Sequence, residues 1–187
     1  ITGLNMSGED MYAGLFGYSG GTIKNLNVAT TSDGIVQMYK KEDGVTKKKR
    51  RSYIGIIAAY NKGTIESCTV EGLISSRNEY SFIGAGGIAG YNEGTINSCT
   101  NKARLSISCW ADWTIFYADA YAGGICGINE GIVTSSRSEV YGKRSDDNLV
   151  ELSPGIYSDS AFANAISGGV IGDNRGTVSN STSSTII

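Results

Sequence analysis

The chain of 187 residues contains no histidine. Without imidazole there is no Ser-His-Asp or Cys-His nucleophile system, and no zinc site that uses His, HExxH included. Proline is nearly missing as well: Pro154 is the single one, beside 26 glycines. That much glycine without proline excludes collagen and a proline-rich linker. No run of 18 apolar residues occurs, so no membrane-spanning helix and no membrane insertion are expected. The opening ITGLNMSGED lacks a basic segment followed by an apolar one, so it does not read as a signal peptide. It starts without Met inside a patterned segment, and the expectation is a processed product or a piece of a longer protein, with neighbouring domains of the same polypeptide as partners. The four cysteines (Cys68, Cys99, Cys109 and Cys126) include no CxxC pair, and their spacings match no zinc or redox motif. A net charge of −2 supplies no general attraction to nucleic acid or anionic membranes. Neither nucleic acid nor a cofactor is expected as a partner.

What the chain has is a repeat. A hydrophobic share of 40% suffices for a core, which argues against disorder. Five segments align without gaps: GLFGYSGGTIKNLNV (14–28), IIAAYNKGTIESCTV (56–70), GIAGYNEGTINSCTN (87–101), GICGINEGIVTSSRS (124–138) and GVIGDNRGTVSNSTS (169–183). Position six is Ser19, then Asn61, Asn92, Asn129 and Asn174. Position eight is Gly21, Gly63, Gly94, Gly131 and Gly176, at successive spacings of 42, 31, 37 and 45 residues. Glycine at position eight fits a tight turn needing φ > 0. Asn two residues earlier tolerates left-handed geometry and bonds its own turn. In stacked copies the amides form a ladder that satisfies itself from rung to rung. The segments after the glycine, such as TIESCTV, alternate and are rich in β-branched residues, so they read as strand, with position ten (Ile23, Ile65, Ile96, Val133 and Val178) pointing inward. Position thirteen (Leu26, Cys68, Cys99, Ser136 and Ser181) suits a narrow corner.

The segments YSFIGAGG (80–87), YADAYAGG (117–124) and FANAISGG (162–169) align directly upstream of three copies. An aromatic row (Tyr80, Tyr117 and Phe162) alternates there with small residues. That is period two and predicts another strand, with the small row inward and the aromatic row outward, or the reverse. Each repeat thus supplies two or three short strands and buries its face only by stacking on its neighbours. The fold read from the residues is all-β: a parallel β-solenoid, right-handed and β-helix-like, forming one repeat domain over 1–187. It has about five irregular repeats, with protruding loops at 29–53, 101–117 and 138–162. Helix is excluded by the glycine frequency and the lack of any 3.6-residue period.

At Gly14-Leu15-Phe16-Gly17, Gly87-Ile88-Ala89-Gly90, Gly124-Ile125-Cys126-Gly127 and Gly169-Val170-Ile171-Gly172 the chain resembles the GLUG repeat, named for its Gly-Leu-any-Gly core. The second copy departs, with Ile56 and Ala59 in place of both glycines. Such repeats occur in adhesin-like bacterial surface proteins and in non-catalytic regions of immunoglobulin-A metallopeptidases. The resemblance implies a cell-surface or extracellular location, a structural or binding role, and no catalytic residue.

Candidate sites lie outside the repeated positions. The run Lys47, Lys48, Lys49, Arg50 and Arg51 is either an anion patch or a solvated loop that blocks edge pairing. The stretch SCWADWTIFYADAY (108–121) holds Trp110, Trp113, Phe116, Tyr117 and Tyr121, which either pack as their own small core or present faces for sugar rings. Cys68 and Cys99 fall one rung apart, about 4.8 Å, and read as small buried thiols; a disulfide also needs compatible Cβ directions. Cys126 reads as core, and Cys109 is left over. Asp146 and Asp147 lie in a polar loop, where paired acids can cleave glycosides but no partner acid is marked. The glycosylation triplet Asn180-Ser181-Thr182 is incidental. No Thr-x-Thr ladder exists, because a single Thr recurs (Thr22, Thr64, Thr95 and Thr177). The leading expectation is a non-enzymatic bacterial surface or secreted module, a stalk or adhesive scaffold whose partner is a host or matrix protein or a glycan. The alternatives are a substrate-positioning region of a secreted metallopeptidase and a carbohydrate-active β-helix enzyme.

Overall fold

The computed structural model describes residues 1–8, 12–39, 50–79, 81–110, 118–141, 155–158 and 163–186. All regular structure among them is strand, and every strand pair is parallel. The chain is a parallel β-solenoid. Each coil visits four sheets in turn, more than the two or three strands per repeat that the sequence suggests. The first sheet holds Tyr12–Ala13, Arg50–Gly55, Ser81–Gly86, Ala118–Gly123 and Ala163–Gly168. The second holds Phe16–Ser19, Ala58–Asn61, Ala89–Asn92, Cys126–Asn129 and Ile171–Asn174, and the third Thr22–Lys24, Thr64–Glu66, Thr95–Asn97, Ile132–Thr134 and Thr177–Ser179. The fourth is the widest, with Asn27–Tyr39, Thr69–Glu79 and Thr100–Trp110 as its long members, and Leu4–Gly8 and Thr182–Ile186 at its edges.

The repeat stacks in register. Thr22, Thr64, Thr95, Ile132 and Thr177 pair across the third sheet, and so do their successors Ile23, Ile65, Ile96, Val133 and Val178. Position ten points inward as expected: Ile65, Ile96 and Val133 are fully buried. The departing second copy keeps its place, pairing Ala58 with Phe16 on one side and Ala89 on the other. Its Ile56 has a physical counterpart. A Cβ at Gly87 would strike the Asn101 side chain, and one at Gly124 or Gly169 would strike Ser138 or Ser183. In coil two the matching residue is Val70, and Ile56 is itself buried in the core. The small row of the first sheet also faces inward, since Ile83, Ala118 and Ala120 are fully buried. Its aromatic counterparts Tyr80, Tyr117 and Phe162 lie outside the described residues.

Two expectations are corrected. The first concerns the turn glycines. Gly21, Gly63, Gly94, Gly131 and Gly176 do not have positive φ; their coil-mates at position twelve do, namely Asn25, Ser67, Ser98, Ser135 and Asn180, at φ 49–55°. Glycine is needed at position eight because the coils touch there: a Cβ on Gly63 would fall onto the Gly21 carbonyl oxygen, one on Gly94 onto Gly63, one on Gly131 onto Gly94 and one on Gly176 onto Gly131. The position-eleven carbonyl accepts the position-twelve amide of the preceding coil, and beyond the left-handed bend the position-thirteen side chain of its own coil meets it as well. Cys68 Sγ lies 3.3 Å from Glu66 O, Cys99 Sγ 3.3 Å from Asn97 O, Ser136 Oγ 2.9 Å from Thr134 O and Ser181 Oγ 2.9 Å from Ser179 O. Thiol and hydroxyl do the same work at this corner.

The second correction concerns the loops. Most of 29–53 and 101–117 that is described is strand: Asn27–Tyr39 and Arg50–Gly55 in the first case, Thr100–Trp110 in the second. Within 138–162, strand Arg137–Tyr141 reaches into the segment and Gly155–Ser158 pairs with Thr100–Trp110. The fourth sheet is therefore a broad wing. Thr69–Glu79 and Thr100–Trp110 pair over their whole lengths. Its inner face buries Ile74, Leu105, Ile107 and Cys109, and also the polar Ser76, Asn78, Asn101 and Ser138.

Candidate functional surface

The Asn ladder is present as expected. Asn61 Nδ2 donates to Asn92 Oδ1 (2.8 Å), Asn92 to Asn129 (2.8 Å) and Asn129 to Asn174 (2.9 Å). Each amide also donates to the carbonyl of its own position-eight glycine, at 3.2–3.3 Å. Asn61, Asn92 and Asn129 are fully buried. Stacked amides inside a low-dielectric wall rigidify the coil, because removing one strands its neighbours.

A second aromatic system, unforeseen from the sequence, fills the angle between the first and second sheets. Position five carries Tyr18, Tyr60 and Tyr91, whose strands pair in register. Their rings stack, with centroids 5.6 and 4.9 Å apart and planes 22° and 20° from parallel. Tyr53 of the first sheet is buried against them, 5.8 Å from Tyr60 and 5.0 Å from Tyr91. Phe82 and Tyr121 extend the group, 5.2 Å apart, and Arg51 lies over the Phe82 ring at 5.8 Å. This is a separate apolar cluster beside the main core, centred on Tyr53, Ala59 and Ile128. Aromatic pairs of this kind contribute about 0.5–1.5 kcal/mol each beyond their buried area.

Acids and bases at position seven rim the cluster. The Tyr60 hydroxyl donates to Glu93, and Tyr91 bonds Glu130 in the next coil. Lys62 pairs with Glu93 at 2.9 Å, and Arg175 with Glu130 at 3.1 Å. Burial, then the carboxylate partner, pushes both phenols well above their ordinary pKa. The hydrogen bonds from Tyr60 and Lys62 hold Glu93 below the usual carboxylate range. The phenols therefore stay protonated donors, and Glu93 stays a charged acceptor. Exposed ion pairs such as these are screened by solvent and contribute little to stability.

Of the residues singled out for binding, only part falls among the described ones. Lys47, Lys48 and Lys49 lie outside the described residues. Arg50 and Arg51 begin a strand of the first sheet, so the loop expected for the basic run does not extend to them. Trp110 ends a strand of the fourth sheet. Trp113, Phe116 and Tyr117 are outside the described residues, as are Asp146 and Asp147. Tyr121 is half-buried in the outer cluster. All four cysteines are free and buried. Cys126 sits in the core as expected, its thiol pushed up by burial, and burial raises the Cys109 thiol to about 12. Among the described residues no group of three or more His, Cys, Asp or Glu could hold a metal ion. No family model matches the chain, and no curated protein or solved structure matches it.

Proposed function

We propose that the chain is a non-enzymatic repeat module of a bacterial cell-surface or secreted protein, serving as a stiff stalk or adhesive scaffold for a host or matrix protein or glycan. The buried ladder through Asn61, Asn92, Asn129 and Asn174 carries this reading. It joins successive coils by side-chain bonds as well as by backbone pairing, which suits a part that must transmit force along its axis. The outer tyrosine stack repeats that coupling on the surface. Resemblance to the GLUG repeat supports the bacterial surface setting, and the polar groups around Tyr60 and Tyr91 pair with one another through Lys62, Glu93, Glu130 and Arg175.

Single-molecule pulling of the whole chain tests it. Coils of 31–45 residues should release in discrete steps of about 100–150 Å, from about 3.3–3.6 Å per extended residue. A single featureless collapse at low force would sink the stalk reading. Arrays of host-matrix proteins and glycans test the adhesive half, and saturable binding lost with the fold is the expected outcome.

A further inference from the structure

We propose that Cys68 and Cys99 are a redox modification site, a thiol pair that forms a reversible disulfide and clamps coil two to coil three at the corner between the third and fourth sheets. The two residues hold the same position of adjacent coils. Their followers Thr69 and Thr100 are register partners, and Thr100 N donates to Cys68 O at 2.8 Å. Adjacent rungs of a sheet lie about 4.8 Å apart, inside the Cα separation of roughly 4.4–6.8 Å that a disulfide spans. The side chains share a direction, because both cysteines follow a residue at φ 54° and both sulfurs lie 3.3 Å from the carbonyl two residues back; this holds the Cβ atoms near the rung spacing of about 4.8 Å, just beyond the roughly 3.5–4.5 Å of a relaxed disulfide, so closing the bond draws the two coils together at this corner.

Serine meets the same corner carbonyl in coils four and five, through Ser136 and Ser181. The corner therefore does not require sulfur, and sulfur in two consecutive coils adds a capability that the hydroxyl lacks. Neither Cys109 nor Cys126 shares this position.

The co-reactant is a small disulfide such as oxidised glutathione. Cys68 lies nearer the coil-one end, beside the half-buried Leu26, which makes it the sulfur that the small disulfide reaches first and, as its thiolate, the attacking one. Its thiolate displaces one glutathione thiolate and leaves a mixed disulfide on Cys68. Cys99 loses its proton, attacks that sulfur and releases the second glutathione. Two protein thiols lose two electrons and two protons, and two glutathiones carry them away. Both sulfurs are fully buried, so exchange proceeds through opening at the coil-one end, where Leu26 over this corner is only half-buried.

The folded chain is incubated with oxidised glutathione, alkylated and analysed by intact mass and peptide mapping. The expected result is a loss of two hydrogens, a Cys68–Cys99 linked peptide, and reversal by dithiothreitol. The link closes 31 residues, so the oxidised protein should melt roughly 10 °C higher. Cys68→Ser and Cys99→Ser should each abolish the link and fold, as judged by circular dichroism, since serine already serves this corner. Recovery of both thiols, a link through Cys109 or Cys126, or an oxidised form that melts no higher than the reduced form would overturn the proposal. Mapping of the unsubstituted chain decides the matter even if a serine variant does not fold.

Discussion

Replacing Asn92 by Ala should unravel the middle of the solenoid far more than the same change at Asn174. Asn92 accepts from Asn61 and donates to Asn129, both at 2.8 Å, and it donates to Gly94 O at 3.2 Å. It is fully buried. Alanine removes both rung-to-rung bonds and leaves the Asn129 oxygen and part of the Asn61 amide without partners in a dry wall. A net hydrogen bond contributes about 0.5–1.5 kcal/mol, and a buried group left unsatisfied costs about 1–3 kcal/mol. Two bonds lost with partial relaxation come to about 3–4 kcal/mol. At roughly 2–4 °C per kcal/mol for a chain of this size, the melting temperature should fall by about 6–16 °C. Asn174 is exposed and accepts a single ladder bond, from Asn129, so Asn174→Ala should cost only about 1 kcal/mol. Equilibrium urea denaturation followed by circular dichroism measures both. If the two variants lose equal stability, or if Asn92→Ala loses less than about 1 kcal/mol, the ladder is not what couples the coils.

Position eight offers a second contrast. Gly131→Ala should be severely destabilising, because its Cβ would meet the Gly94 carbonyl and the Glu93 backbone. Gly21→Ala meets nothing within 4 Å and should be neutral or stabilising by up to about 1 kcal/mol. Parallel thermal melts read both, and a Gly131→Ala protein as stable as the parent would refute the close-approach argument. The tyrosine stack predicts a loss of stability in alkali. The folded chain holds the Tyr60 and Tyr91 protons more tightly than the unfolded chain, whose phenols titrate near the ordinary value of about 10. Their contribution is complete below about pH 10 and declines as the pH rises further. Urea midpoints from neutral pH to pH 11–12 should show a steeper fall for the parent than for Tyr60→Phe/Tyr91→Phe; parallel curves would show that these phenols do not titrate with unfolding.

The axial repeat was legible, and the reason is chemical. Position ten is β-branched in every copy and position six is an amide in four, so inward packing and a ladder follow from residue type alone. Glycine at position eight was read as a residue, but its cause was not. A glycine that avoids a collision and one that adopts positive φ look the same in sequence, and only the coil-to-coil geometry separates them. The fourth-sheet wing was hidden because its inner face is mixed. In Thr69–Glu79 the inward Ile74 is followed by the buried Ser76 and Asn78, so the apolar alternation that marks a strand fades there. The outer cluster had a visible signal, since Tyr18, Tyr60 and Tyr91 share position five. The cluster itself is not visible in that row, because it joins rings from two sheets, Tyr53 and Phe82 of the first with Tyr60 and Tyr91 of the second.

The wing has a bearing on how such a chain can change over time. The shortest interval between copies is 31 residues, and the other three exceed it by 6–14. All of the excess falls between position fifteen and the next strand of the first sheet, leaving the ladder, the outer rings and the thiol corner at constant spacing. Closing a longer excursion there adds only about 0.6 kcal/mol per doubling of its length. Insertions and deletions are thus confined to one seam, and each coil can be lengthened independently while the axial register stays unaltered.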